Sequence, residues 1–173
     1  MDATHPATTV QAFITPDPLA HHFDVQLVLD APANCEWRLP NWIRGSYLVR
    51  DFAKHVFGLQ AERAGAALPI RRLDKSRFVV EAPAGPVRLS YRVYAYDESV
   101  RKAYVDSRRG FFNASSLVYC PVGFEQAGFE ITIAKPVLPA CADWQLATAL
   151  TAVQAGADGF GRYRAASYET LID

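Results

Sequence analysis

The chain is predicted to be all-β, a β-sandwich or a curved, saddle-like antiparallel sheet with little helix, on two observations. Apolar and polar residues alternate with a period of two in several stretches, the mark of a strand with one buried face. Glycine- and proline-rich turns interrupt the chain at intervals that leave room for strands but rarely for helices. The 173 residues suit a single domain, 1–173, which can hide roughly 70% of the surface its unfolded chain exposes.

Taken in order, Val10 to Ile14 is the first candidate strand, closed by Pro16-Asp17-Pro18. Phe23, Val25, Leu27 and Leu29 give the clearest alternation, with Asp24 and Gln26 between them. Glu36 to Leu39 is a short strand, and Leu48 to Lys54 is the one plausible interior helix. Strands follow at His55 to Glu62 and Leu68 to Leu73, separated by Ala64-Gly65, and at Arg77 to Glu81, closed by Pro83-Ala84-Gly85-Pro86. Alternation returns at Val87, Leu89, Tyr91, Val93 and Ala95, around Arg88, Ser90 and Arg92. Leu117 to Cys120 ends near Gly123, Phe129, Ile131 and Ile133 end at Lys135-Pro136, and Trp144 to Leu150 precedes the turn Gly156-Ala157-Asp158-Gly159. At the end, Ser167 offers an N-cap to Tyr168-Glu169-Thr170-Leu171, with an acid in the first turn.

Composition narrows the function classes. Eighteen basic residues balance eighteen acidic ones, so no global field draws the domain to nucleic acid or anionic lipid. Near-neutral charge also leaves self-association or docking against a neighbouring domain electrostatically cheap. Cys35, Cys120 and Cys141 are odd in number and hold no C-x-x-C pair, so they read as buried thiols rather than a disulfide framework or zinc site. Met1 to Val10 lacks the basic start and apolar run of a secretion signal, and no stretch reaches ~18 apolar residues. A soluble, cytoplasmic protein is the expectation, with the periplasm open where a leader has been removed.

Known catalytic patterns are missing from the sequence: H-E-x-x-H, G-x-S-x-G and the phosphate loop G-x-x-x-x-G-K-[ST]. The histidines are His5, the adjacent pair His21-His22, and His55; neighbours on a strand face opposite ways, so His21 and His22 cannot chelate one ion in regular β geometry. No catalytic residue and no cofactor or metal site is expected within this chain.

Three segments carry more aromatic, glycine and charged residues than strands require. They are Leu39-Pro40-Asn41-Trp42-Ile43-Arg44-Gly45-Ser46-Tyr47-Leu48-Val49-Arg50-Asp51-Phe52, then Tyr94 to Asp106, then Arg109-Gly110-Phe111-Phe112-Asn113-Ala114-Ser115-Ser116-Leu117. In structural terms Trp42, Tyr47 and Phe52 would plug the core, Gly45 would supply a turn with φ > 0, and Arg50 and Asp51 would bond surface carbonyls. Such loops also wall clefts.

In this order the segments resemble the amino-terminal domain of the glycyl aminopeptidase family, zinc metallopeptidases with a thermolysin-like catalytic domain and a PDZ domain. The family pattern L-P-x-W-x-P-G-S-Y-L-I-R-D-F is echoed from Leu39 to Phe52, Y-x-V-Y-A-x-D-x-S-V-R-x-A-Y-x-D from Tyr91 to Asp106, and R-G-F-F-N-x-T-S-L from Arg109 to Leu117. Trp144 to Leu150 and Tyr168 to Asp173 resemble the segments leading into the catalytic domain, so the likeness covers roughly residues 8 to 173. Departures are Arg44 for the usual proline, which loosens the turn before Gly45, and Ile43 for a common threonine.

The resemblance implies that this is the amino-terminal domain of a longer protein, with catalytic and PDZ domains following, zinc in the parent and none in this chain. It implies a partner in the protein's own catalytic domain and a peptide substrate bound by the parent. In the broader group of zinc aminopeptidases such a domain can lend a polar side chain to the pocket around the substrate's first residue. Tyr104, Asp106, Asn113 and Ser115 are the substrate-cleft candidates here, since they sit in polar, glycine-flanked segments and can donate or accept hydrogen bonds; each can equally fix its own loop, and Asp106 can pair with Arg101 or Arg108. Two other readings stay open: a free-standing β-sandwich binding carbohydrate on Trp42, Trp144 or Tyr96, and a homo-oligomerisation module.

Overall fold

The computed structural model describes residues 8–43 and 48–173; Arg44, Gly45 and Tyr47 of the first segment, and His5, lie outside them. Val10–Asp17 (β1) and His22–Ala31 (β2) form the first hairpin, followed by Glu36–Arg38 (β3). Val56–Arg63 (β4), Ala66–Leu68 (β5), Ile70–Arg72 (β6) and Arg77–Val80 (β7) come next, then the long Gly85–Tyr94 (β8). Ala103–Val105 (β9), Gly110–Phe112 (β10), Cys120–Pro121 (β11), Phe129–Ile133 (β12), Thr151–Ala155 (β13) and Gly161–Ala165 (β14) complete the strands. Among the described residues there is one α-helix, Tyr168–Ile172 (α1).

The chain is all-β. An eight-stranded sheet runs β13-β14-β12-β1-β2-β8-β4-β5, a four-stranded sheet runs β11-β3-β7-β6, and β9 and β10 form a hairpin of their own. Antiparallel pairing holds except between β1 and β12, which are parallel. That pair makes the large sheet mixed, and the connection from β1 to β12 is long enough to allow it.

The period-two patterns become the two faces of the large sheet. Phe23, Val25, Leu27 and Leu29 of β2 and Val87, Leu89, Tyr91 and Val93 of β8 are almost closed to water, and Leu27 sits opposite Leu89. Each such side chain contributes roughly 1.5–3 kcal/mol on burial. The outer face is polar, with Arg92 paired to Asp24 at 3.1 Å and Arg162 to Glu130 at 3.4 Å. Trp37, Phe78 and Tyr119 fill the space on the side of the smaller sheet, with Tyr119 edge-on to both Phe78 and Tyr91.

Two tyrosines tie the layers through one stretch of backbone. Tyr91 Oη donates to the Leu117 carbonyl and Tyr168 Oη to the Val118 carbonyl, each at 2.6 Å in buried surroundings. Burial drives both phenol pKa values well above the ordinary range, so both stay protonated donors. The hairpin turn Ala64-Gly65 has φ of 50° and 81°, the double positive φ that two-residue hairpins prefer and that glycine adopts without strain.

Five expectations need correction. Leu117 to Cys120 is not a strand; only Cys120 of it enters one, Cys120–Pro121. Leu48 to Lys54 is not a helix: Asp51 has φ −90° and ψ 77°, outside helical geometry, so only a 3-10 turn forms, at Phe52–His55. Trp42 is not core; it is 58% exposed, and the adjacent Ile43, pointing the other way, takes the buried place. Trp144 to Leu150 is not a strand, and the strand begins at Thr151, after a segment held by Leu146 N–H on the Asp158 carbonyl at 2.8 Å. Gly159 permits that approach, because a Cβ there would overlap the Leu146 carbonyl. Finally, Ala103–Val105 and Gly110–Phe112, within the segments read as loops, pair as a hairpin. The Ser167 cap is present as expected, its Oγ accepting Thr170 N–H at 3.1 Å.

Candidate functional site

The β9–β10 hairpin brings the four cleft candidates to one region of the fold. Its register places Tyr104 opposite Phe111 and Val105 opposite Gly110, and the four residues between the strands form a turn in which Asp106 N–H donates to the Arg109 carbonyl at 2.9 Å. The hairpin leans on the end of β8 through a bridge between Tyr96 and Tyr104 and through Val105 N–H on the Ala95 carbonyl at 2.8 Å.

Tyr104 lies in an aromatic stack. Its ring is near-parallel to Tyr96 at 5.2 Å and to Phe111 at 6.0 Å, Arg109 sits over it at 5.2 Å, and His21 packs on the far side of Tyr96 at 4.1 Å. Of the rings in this stack only Tyr96 is exposed, at 51%. Burial and the adjacent Asp106 carboxylate raise the Tyr104 pKa, so its hydroxyl is a donor, and it donates to Asp106 Oδ2 at 3.0 Å.

Asp106 is saturated. Besides Tyr104 it accepts from Arg108 N–H at 2.8 Å, Arg109 N–H at 2.9 Å and Arg108 Nε at 3.3 Å. Desolvation pushes its pKa up, but these hydrogen bonds outweigh it and hold the carboxyl down at about 2. Of the two arginines considered as partners, Arg108 is the one that pairs with it. The carboxylate builds the hairpin turn and has little acceptor capacity left for a ligand.

Asn113 and Ser115 form a single unit. Asn113 caps the 3-10 turn Ala114–Ser116, its Oδ1 accepting Ser115 N–H at 3.1 Å and Ser115 Oγ at 2.7 Å. Its main-chain carbonyl accepts Ser116 Oγ at 2.7 Å. Ser115 is fully buried. Both accepted bonds fall on Oδ1, which leaves the two N–H donors of the Asn113 amide for another acceptor.

Asn113 also lines a groove of about 1010 Å³. The β10 strand and Ala114 form one wall and the segment 144–151 the other, with α1 at the end and Ile14, Ile131 and Ile133 of the large sheet beneath. Tyr104, Asp106 and Ser115 do not line it. Trp144 packs against Gly110, where a Cβ would meet its ring at 3.3 Å, so this tryptophan is part of the wall rather than a free platform. A smaller cavity of about 170 Å³ lies between Phe52, Tyr94 and Lys102. His55 borders it with Nε2 buried and without a partner, and burial together with Lys54 and Lys102 lowers its pKa. The sequence drew attention to His55 only as a poor ligand.

His21 Nδ1 is committed to the Val105 carbonyl at 2.8 Å and His22 Nε2 to Asp24 at 3.3 Å, and among the described residues no three His, Cys, Asp or Glu side chains come together as a metal site. The three thiols are buried and free.

No curated protein matches the chain. The crystal structure of an aminopeptidase N family protein from Idiomarina loihiensis matches 95% of this chain at 39% identity with a TM-score of 0.90, over 28% of its own length. Yeast LTA4 hydrolase overlaps 91% of this chain and 26% of its own at 10% identity, with a TM-score of 0.45. The chain therefore spans little more than a quarter of either protein. The family model for the Peptidase M61 N-terminal domain matches residues 12–173, and to that family this chain belongs.

Proposed function

We propose that this chain is the non-catalytic amino-terminal domain of a zinc metallo-aminopeptidase, that it scaffolds the catalytic domain, and that Asn113 contributes to the wall of the substrate cleft. The observation carrying this reading is the match, at 39% identity over 95% of the chain, to part of a much longer aminopeptidase N family protein. Exposed apolar side chains add to it: Trp42, Leu48, Val49 and Val100, at 58, 66, 85 and 82% exposure, all sit in the family-like segments, where a docking partner would cover them.

The division of labour then follows from the hydrogen bonds. In the parent protein zinc would be held by the catalytic part and would supply the activation of water there. This chain's residues bind and orient. Asn113, held by Ser115, offers N–H donors to a peptide oxygen, while Tyr104 and Asp106 fix the hairpin that carries the wall.

A peptidase assay with amino-terminal glycine and alanine substrates and added zinc, on this chain and on the full-length gene product, tests the reading. Activity confined to the longer protein, and lowered there by Asn113→Asp, supports it; two inactive proteins overturn it. A carbohydrate-binding module is the reading that would then remain, favoured by one observation, the half-exposed Tyr96 ring backed by its stack.

A further inference from the structure

Asn113 does not line the cavity of about 170 Å³ beside His55. The walls of this cavity come from the 3-10 turn Phe52–His55, the end of β8 and the segment that leads into β9. Its inner surface is apolar, since Phe52, Val93 and Ala103 line it and are all buried. Two nitrogen groups stand beside that surface: His55 Nε2 and the Lys102 ammonium.

Neither group has its full set of partners. His55 Nε2 is closed to water and has no hydrogen-bond partner among the described residues, where buried polar atoms are normally paired. Lys102 carries three N–H donors, and Asp97 Oδ2 takes one of them. Asp97 itself is committed, because its Oδ1 accepts the Ser99 N–H at 3.0 Å. The charged groups around His55 are Lys54 and Asp51 beside it in sequence, and Lys102 and Asp97 on the facing segment. Burial and the two ammonium groups outweigh the two carboxylates and keep the imidazole neutral.

We propose that this cavity binds a short-chain carboxylate, the Lys102 ammonium and the His55 imidazole holding the anionic end while the alkyl end lies against Phe52, Val93 and Ala103. The site is independent of the aminopeptidase reading. Its chemistry selects the class: Lys102 repels a cation, and the apolar inner surface offers nothing to the hydroxyls of a sugar. An apolar protein cavity of ~150 Å³ holds benzene, so about six non-hydrogen atoms fit here, the size of butyrate. The bound anion also reverses the electrostatics at His55, since a negative charge beside the imidazole favours its protonated form. Binding then takes up a proton, and by reciprocity affinity falls as pH rises through the window between the free and bound titrations of His55.

Calorimetric titration of the chain with sodium butyrate between about pH 5.5 and 7.5, with 1-butanol and butylamine as size-matched probes, tests this. A cooperative thermal transition verifies that each sample is folded. Butyrate is expected to bind more tightly at the lower pH, and at least about tenfold more tightly than either probe, the worth of one charge-assisted hydrogen bond. In histidine NMR the His55 ring is expected to titrate at higher pH with butyrate than without it. Lys102→Met should weaken butyrate by about tenfold on the same grounds, and His55→Gln, which keeps the volume but takes up no proton, should flatten the pH dependence. Butanol or butylamine binding as well as butyrate overturns the carboxylate. Butyrate bound without moving the His55 titration, or equally well by both variants, lies elsewhere and overturns the site, as does the absence of any binding.

Discussion

The Ser115 hydroxyl donates to Asn113 Oδ1 at 2.7 Å, and the Ser115 N–H donates to the same atom at 3.1 Å. One side-chain oxygen thereby does all the capping while the amide nitrogen of Asn113 stays available at the groove wall. Capping and the recognition proposed for Asn113 would thus use different atoms of one residue, and substitution can separate them.

Asn113→Asp keeps the accepting oxygens and removes the donors. Thermal or urea denaturation of this variant is expected to fall within about 0.5 kcal/mol of the parent, whereas Asn113→Ala loses the cap and about 1 kcal/mol. In the full-length protein both variants are expected to lower peptidase kcat/KM, by about tenfold for one lost hydrogen bond near 1.4 kcal/mol. A full-length Asn113→Asp with unchanged kcat/KM would show that Asn113 is a cap and nothing more.

Asp106→Asn tests the turn. The folded carboxyl titrates at about 2, below its ordinary 3.8, so its stabilisation is complete above about pH 4 and is lost as pH falls to about 2. The asparagine variant is expected to be less stable at pH 7 by about 2 kcal/mol, the range of hydrogen bonds to a charged group. The gap between variant and parent then narrows on acidification. Urea midpoints at pH 7, 4 and 2.5 measure it; a gap that stays constant means the charge contributes nothing.

Why the strands were legible and the site was only half so follows from the same physics. In β2 and β8 one face is buried and the other solvated, so Phe23 to Leu29 and Val87 to Val93 carry the period-two pattern openly. In β9 all three residues are buried, which erases alternation, and β10 owes its conformation to pairing with β9 rather than to its own residues. Motif order drew attention to Asn113 and Asp106 but could not say which was saturated, because the four bonds on Asp106 depend on a turn that forms only when the hairpin does. Trp42 misled for a simpler reason: large aromatic residues are usually buried, and which of Trp42 and Ile43 faces inward depends on a backbone course the sequence does not encode locally.

Tyr91→Phe and Tyr168→Phe each remove a donor from a buried carbonyl in the stretch 117–118. Each is expected to cost about 1–2 kcal/mol, the cost of an orphaned buried acceptor. Their partners are consecutive residues on one segment, so the double variant should depart from additivity by at least about 0.5 kcal/mol. Additive losses would mean that β8 and α1 grip the segment independently.

The thiols give a reading of the packing itself. Burial raises Cys35 to about 11 and Cys120 to about 12, with Glu36 and Glu125 respectively adding to it, and Cys141, also fully enclosed, is raised as well. Since only the thiolate attacks a disulfide reagent, labelling of the native protein with an aromatic disulfide at pH 8 is expected to be slow at all three positions and fast once urea unfolds the chain. The ratio of rates reports how often the core opens. Cys141 is the informative one, because its Sγ contacts the Ser107 carbonyl at 3.7 Å behind the hairpin turn: Asp106→Asn, by loosening that turn, should speed labelling at Cys141 while leaving Cys35 and Cys120 unchanged. Equal acceleration at all three would mean that the turn opens only with the whole domain.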